Sequence, residues 1–257
     1  MSDFSFILDN ITFSFSGVSS FHTCPYGYKL TYIDGEDRID NFYSDYGKFI
    51  HLILEKFFRD ELEENELLSY YEDNYAENVK CSPPPYPASI GTNYYNDAHK
   101  FFETFEFDKS KYDVIIIEDA INSSHKNFNL VVKPDLVLRN IETGKCTLVD
   151  YKTSKYSTSK NDKKLIEYKK QMNLYAQFLW KEKQIEISNV EIWFIRADVV
   201  HSFDIDLNQV MFTLEWFADG VSKIKKENNW KPNNTKENKY FCDNLCGVRN
   251  KCIYRQS

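Results

Sequence analysis

The sequence lacks several features that would each assign it to a class of protein. No apolar run approaches the roughly 20 residues that a membrane-spanning helix needs. The opening stretch, MSDFSFILDNITFSFS, has no basic region ahead of its apolar residues, unlike a secretory signal. No internal repeat, low-complexity tract or helicase motif is present. These absences predict an intracellular, cytoplasmic protein with no membrane partner.

A net positive charge is also missing. The chain carries −7 at pH 7, whereas proteins that bind nucleic acid usually have a basic surface. The charge is unevenly spread, because Glu55–Glu77 is strongly acidic whereas Lys152–Lys170 and Lys223–Arg255 are basic. The net charge therefore does not exclude a locally basic groove that binds phosphate.

What is present is the pattern of a globular α/β protein. The 257 residues are 42% hydrophobic, which is enough for a substantial core. Apolar periodicity, caps and turn signals predict five main elements. These are a helix over Ser44–Leu62, a buried strand over Val114–Glu118, a hairpin over Val131–Tyr156, a helix over Lys163–Lys183 and a strand over Val190–Arg196. The resulting α-β-β-β-α-β order predicts a mixed sheet with helices on its faces.

The predicted hairpin carries charge inside apolar runs. Asp135 interrupts LVVKPDLVL, and Asp150-Tyr151-Lys152 closes CTLVDYK. Side chains alternate along a strand, so Asp150 and Lys152 point to one face and Tyr151 to the other. A solvated Asp–Lys pair on a surface hairpin is one interpretation. The other is a site where carboxylates on neighbouring strands bind Mg²⁺ or Mn²⁺, because hard divalent cations prefer oxygen ligands.

Four further residues have both a structural and a functional interpretation. His51 lies in the middle of an apolar helix, where a histidine is either a hydrogen-bonded core residue or a metal ligand. Glu118 ends the first strand of the predicted core. Gln171 and Tyr175 are four residues apart and therefore share one helix face. They are either ordinary helix surface or a polar pair beside a metal site or a phosphate.

Three cysteines close together near the end of the chain predict a metal centre. Cys242, Cys246 and Cys252 lie in the polar stretch YFCDNLCGVRNKCIYRQS, which has few apolar residues to bury them. An iron–sulfur cluster or a structural zinc explains them better than packing does. Either centre usually needs four ligands, and Cys24 is the candidate for the fourth. Cys81 and Cys146 are predicted to take no part.

Together these motifs resemble the PD-(D/E)XK nuclease superfamily. The residues that carry the resemblance are Pro134-Asp135 followed by Asp150-x-Lys152. The RecB-like branch, which includes the AddB nuclease domain and the CRISPR-adaptation nucleases, adds an early S-x-x-x-x-C-P-x-x-Y motif. This chain is similar there, with Ser19 or Ser20, then Cys24-Pro25 and Tyr28. It departs from the branch in its C-x3-C-x5-C spacing, and in having Val132-Lys133-Pro134 where a glycine often precedes the first aspartate.

The resemblance implies a restriction-endonuclease-like core and a role for each candidate residue. Asp135, Asp150 and the Tyr151 carbonyl would hold Mg²⁺ or Mn²⁺ with His51, while Lys152 would orient water and offset negative charge. Glu118 would hold a second metal or a water, and Gln171 and Tyr175 would position DNA. Cys24, Cys242, Cys246 and Cys252 would hold a [4Fe–4S] cluster. The expected domain is a single one, residues 1–257, with a core over about 44–226 and cluster-binding segments over about 18–30 and 240–254.

The function that the resemblance implies is metal-dependent hydrolysis of DNA, of exonuclease type, on single strands or duplex ends. Such a nuclease, from a bacterium or a phage, would act in recombination, repair or phage- or CRISPR-type DNA processing. A helicase or recombinase partner would be a separate chain. Two alternatives remain at this point. One is a non-catalytic nucleic-acid-binding module, and the other is a zinc-stabilised interaction protein.

Overall fold

A computed structural model describes residues 4–159 and 162–255. In chain order its helices and strands are α1 (Ser5–Asn10), β1 (Thr12–Ser14), α2 (Phe15–Thr23), α3 (Pro25–Tyr32), α4 (Phe42–Phe58), α5 (Leu67–Asn78), α6 (Ile90–Glu103), β2 (Tyr112–Ile117), β3 (Ile121–His125), β4 (Phe128–Val132), β5 (Leu136–Asn140), β6 (Cys146–Lys152), α7 (Lys163–Lys183), β7 (Ile187–Phe194), β8 (Val199–Asp204) and α8 (Leu207–Lys226). Among the described residues, no helix is both long and apolar enough to cross a membrane.

The chain forms two compact units. The first comprises the described parts of Met1–Asn41, Asn122–Val132 and Met211–Ser257. Its sheet has the order β1-β4-β3, in which β1 runs parallel to β4 with Phe13 opposite Leu130. The second unit comprises Phe42–Ile121 and Lys133–Val210. It contains the larger sheet and helices α4 to α7.

The sheet of the second unit is mixed, and its order is β2-β5-β6-β7-β8. Strands β6 and β7 are parallel, and α7 connects them, whereas the other neighbouring pairs are antiparallel. The predicted α-β-β-β-α-β order is confirmed as α4, β2, β5, β6, α7 and β7. Because β2 lies at the edge of the sheet, the prediction that it is a buried strand was wrong: Asp113 and Val114 are exposed.

Helix α4 provides much of the core of the second unit. Its apolar positions recur at helical spacing, so one face is apolar over the full length. That face is fully or almost fully buried at Tyr46, Phe49, Ile50, Ile53, Leu54 and Phe57. It packs in one cluster with Leu136, Val149 and Tyr151 of the sheet. The following acidic stretch is less solvated than its sequence suggests, because Leu67 and Tyr71 of α5 are also fully buried.

The hairpin is real but shorter than predicted. Strands β5 and β6 pair antiparallel with Leu136 opposite Val149. Val131 and Val132, which the sequence placed in the first strand, belong to β4 in the other sheet. Pro134 has no N–H to donate to a ladder, and the strand is broken there. Asp135 therefore lies immediately before β5 rather than within it.

Removing side-chain volume from the α4 face should destabilise the fold. Ile53→Ala is expected to lower the free energy of unfolding by about 2–5 kcal/mol, because it leaves a cavity at a fully buried position. Urea denaturation followed by circular dichroism measures this. Ile166→Ala is the matched control, since Ile166 is 43% exposed on α7, and a change within about 0.5 kcal/mol is expected there. Equal losses in the two variants would contradict the assignment of the core.

Candidate functional site

Three carboxylates of the second unit lie at neighbouring strands of its sheet. Glu118 follows β2, Asp135 precedes β5 and Asp150 lies in β6. The pairing of Leu136 with Val149 brings Asp135, one residue before β5, next to Asp150. The Asp135 Oδ2 atom accepts a hydrogen bond from the Tyr151 amide at 2.8 Å. Glu118 follows β2 directly, and its amide donates to the Asp135 carbonyl oxygen at 3.0 Å. Backbone hydrogen bonds thus fix the positions of these acids.

His51 of α4 completes a group of ligand-type atoms. Its Nδ1 lies 3.2 Å from Glu118 Oε1 and 3.6 Å from Asp135 Oδ2, and its Nε2 lies 3.1 Å from the Tyr151 carbonyl oxygen. One ligand atom from each of His51, Glu118 and Asp135 lies within 4.8 Å of the others. A histidine in an apolar helix was predicted to be either core or ligand. The imidazole faces the acids rather than the apolar core.

The backbone of Glu118 is in the left-handed region, with φ of 52°. That conformation is uncommon for residues other than glycine, and such residues concentrate at functional sites. Here it turns the chain sharply at the end of β2. The carboxylate then points at His51 instead of continuing along the strand direction. The side chain is only 13% exposed.

Asp150 and Lys152 share one face of β6, as predicted from strand alternation. Asp150 Oδ2 and Lys152 Nζ are 2.5 Å apart, and the Asp150 side chain is only 2% exposed. Tyr151, between them, points to the opposite face and packs in the core with α4. Within the described residues, Asp150 is not in the group formed by His51, Glu118 and Asp135. Its nearest charge is the Lys152 ammonium.

The electrostatics of the site follow from placing acids where little water reaches them. Burial, and next the Asp150 carboxylate, raise the pKa of Asp135 to about 6. Burial alone would lower the pKa of Lys152, but Asp150 and Asp135 outweigh it and raise that pKa above its usual value. Burial would likewise lower the pKa of His51, and Asp135 and Glu118 raise it overall. The carboxylates therefore favour positive charge around them.

Helix α7 supplies a second layer around Lys152. Gln171 Oε1 accepts from Lys152 Nζ at 3.4 Å, and Gln171 Nε2 donates to the Tyr175 hydroxyl at 3.0 Å. The sequence interpretation of these residues as a polar pair stays a prediction, and the structure brings the pair to Lys152. Tyr175 is buried, so the pair contacts Lys152 and the helix rather than an open surface.

Sequence reasoning missed Tyr168 and Lys133. The Lys152 ammonium lies 4.7 Å from the centre of the Tyr168 ring, and the Tyr168 hydroxyl is 3.1 Å from Ser154 Oγ. Tyr168 precedes Gln171 by three residues and so lies on the same helix face, which was a usable signal. Lys133 Nζ lies 2.7 Å from Glu118 Oε2. The sequence offered only one indication that Lys133 lies near the site, which is its position two residues before Asp135.

The four cysteines predicted to act together belong to the first unit. Cys24, Cys242, Cys246 and Cys252 line a single cavity. Burial, and next the neighbouring thiols, raise the pKa of Cys242. Among the described residues, no three cysteine Sγ atoms lie within 4.8 Å of one another. Cys81 and Cys146 belong to the second unit.

The donor set beside Asp135 suits a divalent metal ion. Two carboxylates and an imidazole offer oxygen and nitrogen atoms of the kind that Mg²⁺ and Mn²⁺ accept. A cation at that position would also offset the repulsion between Asp135 and Asp150. The residues present therefore fit such an ion.

The family model of the PD-(D/E)XK nuclease superfamily matches residues 12–253, and the chain belongs to that superfamily. The predicted restriction-endonuclease-like fold is thereby confirmed, and the chain is a hydrolytic nuclease by class. Nucleases of this superfamily use divalent metal ions, which agrees with the group around Asp135.

Solved structures with a similar fold include a candidate exonuclease from Eubacterium rectale. It is 12% identical in sequence with a TM-score of 0.54, and the match covers 96% of this chain and 90% of that one. This likeness shows a shared fold. The structure of SSO0001 is 14% identical with a TM-score of 0.32, over 76% of this chain and 82% of that one, which is too low to support an argument. No curated protein matches the sequence.

The effect of the Asp135 charge on the pKa of His51 can be measured directly. In metal-free protein, Asp135→Asn is expected to lower the pKa of His51, because an amide has no charge to stabilise the imidazolium. An NMR pH titration of the His51 ring nitrogens gives the value. Asp113→Asn is the control, because Asp113 of the edge strand β2 forms an exposed ion pair with Arg139 of β5. No change in the His51 pKa is expected there. A His51 pKa that is unchanged or raised in Asp135→Asn would refute this picture of the site.

Proposed function

We propose that this chain is a metal-dependent deoxyribonuclease of exonuclease type that hydrolyses phosphodiester bonds at DNA ends. The observation that carries the proposal is the meeting of Asp135, Asp150 and Lys152 with His51 and Glu118 in the second unit. The superfamily supplies the reaction class. The exonuclease type rests on motifs similar to those of the RecB-like branch and on the name of the Eubacterium rectale neighbour.

Asp135, Asp150, His51 and the Tyr151 carbonyl are the proposed metal ligands, with Glu118 as a further ligand of the same group. A divalent ion held there would lower the pKa of a bound water and stabilise charge on the scissile phosphate. Lys152 is the proposed catalytic cation. Its ammonium lies against Asp150 and beneath the Tyr168 ring, in a position to offset negative charge that develops on phosphate.

Gln171 and Tyr175 have a positioning role in this proposal. Gln171 accepts from the Lys152 ammonium and donates to Tyr175, so the pair holds the catalytic cation in place. Their proposed effect on DNA is therefore through Lys152. This differs from the direct contact with the DNA backbone that the sequence suggested.

We further propose that Cys24, Cys242, Cys246 and Cys252 hold a [4Fe–4S] cluster with a structural role. A tetrahedral zinc with Zn–S bonds of about 2.3 Å would require sulfurs within about 4 Å of one another. The described sulfurs are not grouped that tightly, although all four line one cavity. An iron–sulfur cube tolerates wider spacing, because each thiolate binds a different corner. The cavity that all four cysteines line supports a shared centre, and the [4Fe–4S] cluster is the centre that the resemblance implies.

The biological setting follows from the proposed substrate. Residues 1–257 are proposed to work as one nuclease domain, with DNA ends or single strands as the substrate. Recombination, repair and phage- or CRISPR-type DNA processing all present such ends. A helicase or recombinase chain is the proposed partner. The proposed location is the cytoplasm of a bacterial or phage-infected cell.

Activity should depend on the paired residues of β6. Lys152→Ala and Asp150→Ala are each expected to lower the rate of DNA cleavage at least about 100-fold, because one loses the charge that stabilises the reacting phosphate and the other a metal ligand. The assay digests end-labelled single- and double-stranded DNA with Mn²⁺, with Mg²⁺ or with EDTA. Lys145→Ala, at an exposed turn of the same hairpin, is the matched control and should keep full activity.

Full activity in either β6 variant would remove the catalytic assignment. Cleavage that continues in EDTA would contradict the proposed dependence on a metal ion. Release of mononucleotides or short products from a labelled end indicates an exonuclease, whereas internal cuts in circular DNA would contradict that part of the proposal.

The cysteine proposal has a separate readout. Cys24→Ser, Cys242→Ser, Cys246→Ser and Cys252→Ser should each lose brown colour and iron, and each should unfold at a lower temperature, because metal binding and folding are coupled in such sites. Cys81→Ser and Cys146→Ser are the controls and should keep both. Full iron content in Cys24→Ser, or a colourless native protein that contains zinc, would overturn the cluster.

A further inference from the structure

Lys133 is a charged residue that no role in the proposed reaction accounts for. It lies in the break between β4 and β5, two residues before Asp135. Its Nζ is 2.7 Å from Glu118 Oε2, and its side chain is 54% exposed whereas that of Glu118 is 13% exposed. The lysine therefore reaches from solvent onto a largely buried carboxylate.

Both oxygens of the Glu118 carboxylate are occupied in this arrangement. Oε1 faces His51 Nδ1 at 3.2 Å, and Oε2 faces the Lys133 ammonium at 2.7 Å. The left-handed backbone of Glu118 and the hydrogen bond from its amide to the Asp135 carbonyl oxygen hold the residue in place. A cation that binds Glu118 either displaces the ammonium from Oε2 or meets its repulsion, because two like charges then share one carboxylate.

Displacing Lys133 should be easy. The Lys133 side chain is long and half-exposed, so its ammonium can move into water at a small cost. Glu55 on α4 also lies within electrostatic reach of Lys133, so the departing ammonium stays near a second acid. The pair has the strength of a reversible competitor rather than of a permanent structural bond.

We propose that Lys133 competes with a divalent cation for Glu118 and so weakens metal binding at this site. The inference rests on the proposed metal site and adds a residue that sets its affinity. Without metal, the lysine supplies the positive charge that Glu118 and Asp135 require. With metal, it withdraws from Glu118.

The test measures Mn²⁺ binding to the full-length, metal-free protein by isothermal titration calorimetry, without DNA. Lys133→Met removes the charge and keeps most of the side-chain length, and it is expected to bind Mn²⁺ roughly fivefold more tightly, which corresponds to ~1 kcal/mol. Lys133→Arg keeps the charge and should bind as the native chain does. Lys111→Met is the matched control, since Lys111 pairs with Asp108 on the surface, and no change is expected.

A double-mutant cycle assigns the effect to Glu118. In a Glu118→Gln background, Lys133→Met should give no further gain in Mn²⁺ affinity, because the contested carboxylate is gone. Thermal unfolding of each metal-free variant checks that it is folded.

Two outcomes would overturn the proposal: equal or weaker Mn²⁺ binding by Lys133→Met, or a gain that persists in the Glu118→Gln background. If the native chain and every variant bind no Mn²⁺, the metal site itself is wrong and the inference falls with it. That result differs from one in which the native chain binds Mn²⁺ and the Lys133→Met variant binds it with the same affinity. The two failures are thus distinguishable.

Discussion

The site depends on one constraint, which is that Asp135 and Asp150 carry like charges side by side where little water reaches them. Burial raises the pKa of Asp135, and the proximity of Asp150 raises it further. A charge in such a place is costly unless it is paired. Lys152 pairs with Asp150, and His51 lies against Asp135 and Glu118. Lys152 and His51 are thus arranged around this repulsion, which a divalent ion would also relieve.

The fold meets this constraint through the two faces of β6. On one face, Tyr151 packs against α4 in the apolar cluster, and its carbonyl accepts from His51. On the other face, Asp150 and Lys152 turn towards α7, where Gln171 and Tyr168 surround the ammonium. One strand therefore ties the core to the site. Alternation along that strand separates the residues that stabilise the fold from those proposed to react.

Much of this arrangement could be predicted from local sequence signals. Helix α7 begins and ends where predicted, because Asp162 caps its first turn and Gln184 takes the left-handed conformation after its last residue. The shared face of Asp150 and Lys152 follows from strand alternation alone. The prediction for the start of β5 was wrong. Val131 and Val132 belong to the same apolar run of the sequence, but in the structure they are part of β4 in the other sheet. Periodicity does not reveal which sheet a strand joins.

The contacts of Lys133 and Tyr168 were not predictable for a related reason. Each depends on a partner that is distant in sequence, namely Glu118 for Lys133 and Lys152 for Tyr168. Helix spacing indicated that Tyr168 shares a face with Gln171, but not that this face covers a lysine. The position of Glu118 likewise depends on its backbone turn after β2, which no sequence signal announced.

A crystal of the protein soaked in Mn²⁺ would show whether Asp135 and Asp150 form the proposed cation site of this nuclease. Anomalous scattering locates the ion without reference to any assumed chemistry. We expect an anomalous peak bonded to a carboxylate oxygen of Asp135, with Asp150 as a neighbouring ligand. Occupied Mn²⁺ sites elsewhere, with no peak at Asp135, would contradict it.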